Sequence, residues 1–247
     1  MIEVKNLEKR FGTQKVLDGV SFGIEKGESV VIIGRSGGGK SVLLKHLIAL
    51  LQPDAGQVLI EGENIVAMNE RQLLRVRRKF GMLFQGAALF DSLTVAENIA
   101  FAFRRDRSLP ENEIAQRVAH VLELVDLPGI ESKNPSELSG GMRKRVGLAR
   151  AIVYQPEIVL YDEPTTGLDP IASDSIDKLI LRVRDRLDVT SVVVTHDMRS
   201  ARRLGQRILM LHDKHIYASG TPEEIFQSKD PVVRQFVEGV SDVKELN

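Results

Sequence analysis

The chain has 247 residues, enough for one large domain or a domain with a subdomain, and enough to bury a substantial core. Lys plus Arg and Asp plus Glu each total 34, so the net charge is zero, which argues against the basic excess of a nucleic-acid binder. Cysteine is absent, which excludes disulfides and thiolate metal sites and fits a cytosolic home. The opening Met1-Ile2-Glu3-Val4-Lys5 lacks the apolar centre of a signal peptide, and no apolar run approaches the roughly twenty residues of a membrane span. A membrane role would therefore need another chain as its anchor.

Taken in chain order, residues 2–8 and 20–24 alternate apolar and polar side chains, as half-buried antiparallel strands do. A Gly27-Glu28 turn leads into the apolar run 29–33, a predicted buried strand. Next comes Gly34-Arg35-Ser36-Gly37-Gly38-Gly39-Lys40-Ser41, which matches G-x-x-x-x-G-K-S/T and runs into a predicted helix over 42–48. Between a strand and a helix, this motif predicts a nucleoside triphosphate site. Its glycines let backbone N–H groups and the helix N-terminus converge on phosphates. Lys40 is expected to reach the β- and γ-phosphates, and the Ser41 hydroxyl to ligate Mg²⁺.

Residues 58–60 and 81–84 predict further strands, and from about 85 to 155 the pattern becomes helical, with helices near 111–124 and 142–154. The β-branched runs 158–161 and 191–194 read as buried parallel strands, with 171–187 as the crossover helix between them. Residues 207–211 and 215–218 predict a terminal hairpin turned by Asp213-Lys214. In the tail, apolar residues at 232, 233, 236 and 237 share one helical face. Two basic stretches stand out. Arg71, Arg75, Arg77, Arg78 and Lys79 are expected to form a solvated helix face, and Arg143, Lys144, Arg145 and Arg150 to serve in part an interface.

Asp162-Glu163 directly follow the apolar run 158–161. In isolation such a pair reads as solvated charge at a strand end. Behind a phosphate loop the site still lacks a metal ligand and a base, so Asp162 is assigned to Mg²⁺ and Glu163 to the attacking water.

Leu138-Ser139-Gly140-Gly141-Met142, followed by Arg143-Lys144-Arg145, resembles the L-S-G-G-Q signature of ABC transporter nucleotide-binding subunits. The likeness runs nearly end to end and includes Gln85 after a strand, the Gly167-Leu168-Asp169 loop, His196 after the next strand, and the aromatic Phe11. The resemblance implies an α/β fold: a P-loop NTPase core with a mainly parallel sheet, an N-terminal antiparallel β subdomain, and a helical insert carrying the signature. The expected boundaries are a core over about 1–85 and 156–229, a helical subdomain over about 86–155, and a tail helix over about 230–247.

It also implies a homodimer in which each ATP lies between the phosphate loop of one copy and the signature of the other. Phe11 would stack the base, and Gly34, Arg35, Ser36, Gly37, Gly38, Gly39, Lys40, Ser41 and Val42 would bind the nucleotide. Ser41, Gln85 and Asp162 would hold Mg²⁺, with Glu163 as general base assisted by His196, Gln85 and Lys40. Ser139, Gly140 and Gly141 would act in trans, and Asp169 would lie across the dimer seam. Two departures stand out: Met142 replaces the signature glutamine, and Phe11 replaces the tyrosine often found at the base, which predicts loose base selectivity.

Within that family, residues 138–150, 81–90 and 230–239 resemble the Mla-type lipid-transport ATPases. The resemblance implies a peripheral protein at the cytoplasmic face of an inner membrane, serving an integral permease with periplasmic lipid-binding components, and moving phospholipid between membranes. The alternatives are a transporter of amino acids or other small solutes, or a soluble assembly machine. Gly86-Ala87-Ala88-Leu89-Phe90 is small and apolar, so it fits either a docking groove for the permease or internal packing.

Overall fold

A computed structural model gives the structure of the protein, which describes residues 1–106 and 109–240, with the backbone alone at 105 and 106. In chain order the elements are β1 (Ile2–Phe11), β2 (Gln14–Ile24), β3 (Ser29–Ile33), α1 (Lys40–Leu47), β4 (Ala55–Ile60), β5 (Glu63–Asn64), α2 (Glu70–Arg77) and β6 (Phe80–Leu83). Then come α3 (Val95–Asp106), α4 (Glu111–Leu124), α5 (Gly140–Ile152), β7 (Ile158–Asp162) and α6 (Pro170–Leu187). The last are β8 (Thr190–Val194), α7 (Met198–Leu204), β9 (Arg207–His212), β10 (His215–Gly220), α8 (Pro222–Phe226) and α9 (Pro231–Glu238). They form two compact units, Met1–Arg77 with Thr190–Asn247, and Arg78–Val189.

In the first unit β1 is the central strand of an antiparallel sheet, paired with β2 and β4, and β5 closes the edge. Ile2 and Val4 face Ile24 and Phe22 on one side and Ile60 and Val58 on the other. Alternation breaks at Asn6, whose φ of 47° marks a register shift, and Leu7 returns to the buried face. A bulge of this kind keeps the apolar face inward while the strand twists.

The unit's parallel strands are β3 with β8 on one side and β9 on the other, and β10 returns antiparallel on β9. Every residue of β3 and of β8 is buried, as expected of parallel strands covered on both faces. The β9–β10 turn is the predicted one: Asp213 and Lys214 both have positive φ, 45° and 74°, the twist that a two-residue hairpin demands. Arg207 grips Glu28 with two parallel bonds, Nε to Oε1 at 2.7 Å and Nη2 to Oε2 at 3.0 Å, which pins the start of β9 beside the start of β3.

In the second unit β6 and β7 pair in parallel, Phe80 opposite Ile158 and Leu83 opposite Tyr161. Helix α5 lies directly on β6. A Cβ on Gly81 would stand 2.3 Å from the Ala151 carbonyl, so only glycine lets the helix come this close. Helices α3, α4 and α5 pack on one another, with Ile99, Phe103, Val118, Leu122, Val146 and Ile152 among their buried residues, and α5 also contacts α6.

Two elements differ from the sequence expectation. The signature helix begins at Gly140 rather than near Met142, because Ser139 caps it and the two glycines form its first turn. Helix α3 lay unseparated within the helical stretch; Val95, Ile99 and Phe103, spaced four apart, make its buried stripe. The tail expected over 230–247 contains α9, and residues 241–247 lie outside the described residues.

Candidate functional site

In the first unit the fully buried β3 delivers the chain to Gly34. The Leu211 carbonyl would lie 2.4 Å from a Cβ there, so the loop leaves the strand through a gap only glycine fits. Arg35, Ser36 and Gly37 are exposed, Gly38 is half-buried, and the Gly38 N–H closes a turn on the Arg35 carbonyl at 3.0 Å. Gly39 caps α1 in a left-handed conformation with no side-chain cap bond. Gly39 itself offers no capping side chain to the first N–H groups of α1, and a glycine-led helix start of this kind suits an anion.

Lys40 is buried at 5% exposure and folds back over the loop, its ammonium donating to the Gly34 carbonyl at 2.8 Å and the Arg35 carbonyl at 3.1 Å. Ser41 and Val42 are half-buried in the first turn. Phe11 ends β1 with 47% of its surface exposed, and the Lys9 ammonium lies 5.6 Å from its ring centroid. His196 is exposed at the end of β8, just before Asp197, which caps α7 by accepting the Arg199 N–H at 2.8 Å.

In the second unit β7 ends at Asp162, and Asp162 and Glu163 are both buried, at 5% and 8% exposure. Glu163 adopts φ 49°, a left-handed conformation that costs a non-glycine residue free energy and clusters at functional sites. Its Oε2 accepts the Thr166 hydroxyl at 3.1 Å. Gln85 is exposed just beyond β6. Ser139 and Gly140 are exposed at the start of α5, and the Ser139 hydroxyl accepts the Met142 N–H at 3.3 Å. Asp169 is exposed and caps α6, its Oδ1 accepting the Ile171 and Ala172 N–H groups at 2.9 Å each.

The first unit thus carries Phe11, the phosphate loop and His196, and the second carries Gln85, the signature, Asp162, Glu163 and Asp169. Sequence reasoning missed Lys144. It sits in a run of three basic residues, yet it is buried at 6% exposure and donates to the carbonyls of Gln85 and Glu163, the latter at 3.2 Å. Burial pulls its ammonium below the usual lysine range, against the raising pull of the Asp162 and Glu163 carboxylates. A signal was present: Lys144 shares a helical face with Gly147, Leu148 and Ala151, all buried, whereas Arg143 is exposed.

Among the described residues no group of three His, Cys, Asp or Glu side chains is placed to hold a metal by itself. The Ser41 hydroxyl and the Asp162 carboxylate are hard oxygen donors, the kind that Mg²⁺ takes together with nucleotide phosphates.

Comparison with known proteins points one way. A family model described as ABC transporter matches residues 17–166. The chain is 42% identical over 242 residues to the intermembrane phospholipid transport system ATP-binding protein MlaF of Haemophilus influenzae, covering 98% of this chain and 92% of that one. It is 44% identical over 238 residues to a "Probable ribonucleotide transport ATP-binding protein mkl" of Mycobacterium leprae, covering 96% of this chain but 69% of that longer protein. A solved structure of the ATP-binding cassette MJ0796, a dimer in a post-hydrolysis state bound to ADP and Pi, superposes with a TM-score of 0.82 at 32% identity, covering 90% of this chain and 99% of that one.

Proposed function

The chain belongs to the ABC transporter family of ATPases, and on that premise we propose that it drives phospholipid transport between membranes through a separate permease. The observation that carries this reading is the likeness to MlaF across nearly the whole of both chains. A second cargo, ribonucleotide, is favoured by the slightly higher identity to mkl, which however extends well beyond the region of likeness.

In the proposed reaction Phe11 stacks the base, and the loop 34–39 with Lys40, Ser41 and Val42 wraps the phosphates. Ser41, Asp162 and Gln85 would hold Mg²⁺, which would screen the phosphate charge that develops as the terminal bond breaks. Glu163, aimed by its Thr166 bond, takes the proton of the attacking water. His196 and Lys40 stabilise the γ-phosphate. Ser139, Gly140 and Gly141 act from a second copy, because an exposed serine and glycine at a helix start are available to bind an anion across a seam. Asp169 lies at that seam.

No helix among the described residues is long and apolar enough to cross a membrane. Attachment to the cytoplasmic face of an inner membrane is therefore assigned to the permease, with periplasmic lipid-binding components beyond it. The half-exposed pair Phe90 and Phe101, ring centroids 4.7 Å apart, offers the permease an apolar contact, while Ala87 beside it is internal.

Purification from detergent-solubilised membranes tests the reading. An integral membrane protein should copurify in complex, carry phospholipid by mass spectrometry, and raise ATP turnover. Recovery of a permease whose bound or transported cargo is ribonucleotide, amino acid or another solute would replace the lipid assignment, and recovery of soluble partners alone would overturn it.

A further inference from the structure

Lys144 of α5 touches two loops that lie far from it in the chain. Its ammonium donates to the Gln85 carbonyl, 59 residues away, and to the Glu163 carbonyl, 19 residues away, at 3.2 Å. Burying an ammonium is costly unless its donors find acceptors, so these two carbonyls are what make the position tenable.

Both loops are backbone-strained where the helix holds them. Glu163 sits at φ 49°, and its carbonyl also accepts the Thr166 N–H at 3.3 Å. Ala87 and Ala88, just after Gln85, sit at φ 60° and 49°, and Arg150 of the same helix donates to their carbonyls at 2.7 and 2.6 Å. Conformations like these persist only where their surroundings over-determine them.

We infer that Lys144 is a positioning residue for hydrolysis: its ammonium ties the backbone of Gln85 to that of Glu163, so the aim of the carboxylate follows the loop after Gln85. The inference rests on the reading of Glu163 as general base. Lys144 touches no nucleotide in this account; it acts through the two carbonyls it binds, beside its charge interaction with the Asp162 and Glu163 carboxylates. A neutral, apolar side chain of similar length fills the space and removes the tie.

The test uses the full chain, with steady-state turnover of Mg-ATP, binding of a fluorescent ATP analogue, amide hydrogen exchange, and thermal unfolding. Lys144→Met is expected to lower kcat by about 10–100-fold, the range seen when partners that orient a catalytic group are removed. Nucleotide affinity should stay within about twofold, and Lys144→Arg should recover most of the loss by keeping a charged donor. In a Glu163→Gln background Lys144→Met should add nothing, because residues acting as a unit are non-additive. Amides of 84–88 and of Glu163, Thr165, Thr166 and Gly167 should exchange faster together.

A kcat within twofold of wild type, or losses that multiply in the double variant, would overturn the inference. If Glu163→Gln itself keeps full turnover, the base assignment falls instead, and the tie is judged on whether the two loops loosen together; no change in exchange then removes it. Should Lys144→Met not fold, Lys144→Gln, too short to span both carbonyls, is read by the same criteria.

Discussion

The buried Asn98 amide closes a ring with the backbone of Phe90: the Phe90 N–H donates to Asn98 Oδ1 at 2.7 Å, and Asn98 Nδ2 donates to the Phe90 carbonyl at 3.1 Å. Asn98 is 0% exposed and also reaches the Leu93 and Thr94 carbonyls, each at 3.0 Å. The backbone of Phe90 is therefore held from within while its ring stands out, 45% exposed. Phe90→Glu should change stability by no more than about 0.5 kcal/mol, as exposed substitutions do, yet abolish copurification of the permease. Asn98→Ala should cost about 3 kcal/mol by stranding several polar groups. Chemical denaturation of both variants, with pull-down of the permease, checks the pair; an unfolded Phe90→Glu would show that the ring is core.

Glu163→Gln keeps the shape and the Thr166 contact but cannot accept a proton. Nucleotide affinity should persist while turnover falls roughly 10²–10⁴-fold, the usual contribution of a positioned base. Single-turnover hydrolysis measured beside equilibrium binding decides it, and near-normal turnover would remove Glu163 from the role.

Ser139 has two separable jobs. As a cap it accepts one long bond, so Ser139→Ala should cost about 0.5–1 kcal/mol of stability. As a group acting across a dimer seam, its loss should prevent ATP-driven dimerisation. Size-exclusion chromatography with light scattering in a Glu163→Gln background, with and without ATP, reads the second effect. An ATP-stable dimer of the alanine variant would confine Ser139 to capping.

Asp126 links α4 to two other helices by accepting Arg182 Nη1 at 2.6 Å and Arg145 Nη1 at 3.0 Å. The Arg182 bond first, then the Arg145 bond, holds its carboxyl below the usual aspartate range. A depressed folded pKa adds stability that is complete above the unfolded value of about 3.9 and is lost as pH falls through the folded value. With the side chain about half exposed, solvent screening keeps the gain below about 1 kcal/mol. Asp126→Asn should thus lower unfolding free energy at pH 7, and the difference from wild type should shrink below about pH 4 and disappear once pH has fallen through the depressed folded value. A gap undiminished at pH 2 would contradict this.

The phosphate loop was legible in the chain because everything it needs is local: a five-residue apolar strand, glycines at the turn, and a lysine opening a helix. The same holds for β7 with its acidic end and for the Asp213-Lys214 hairpin, where short-range pattern and turn chemistry agree. Helix α3 and the bulge at Asn6 were not separable, since each is chosen by what packs against it rather than by its own residues.

Lys144 marks the boundary between the two kinds of information. Sequence alone determined that α5 is a helix, though with a start near Met142 rather than at the Ser139 cap, and its periodicity contained the face that Lys144 shares with Leu148. Only the tertiary structure decided that this face lies against the loops of Gln85 and Glu163, turning a charge that would be solvated on a free helix into a buried bridge. The reason is physical: hydrogen bonds over 59 and 19 residues of chain form only once the packing of α5 on β6 has brought the two carbonyls within reach of one ammonium.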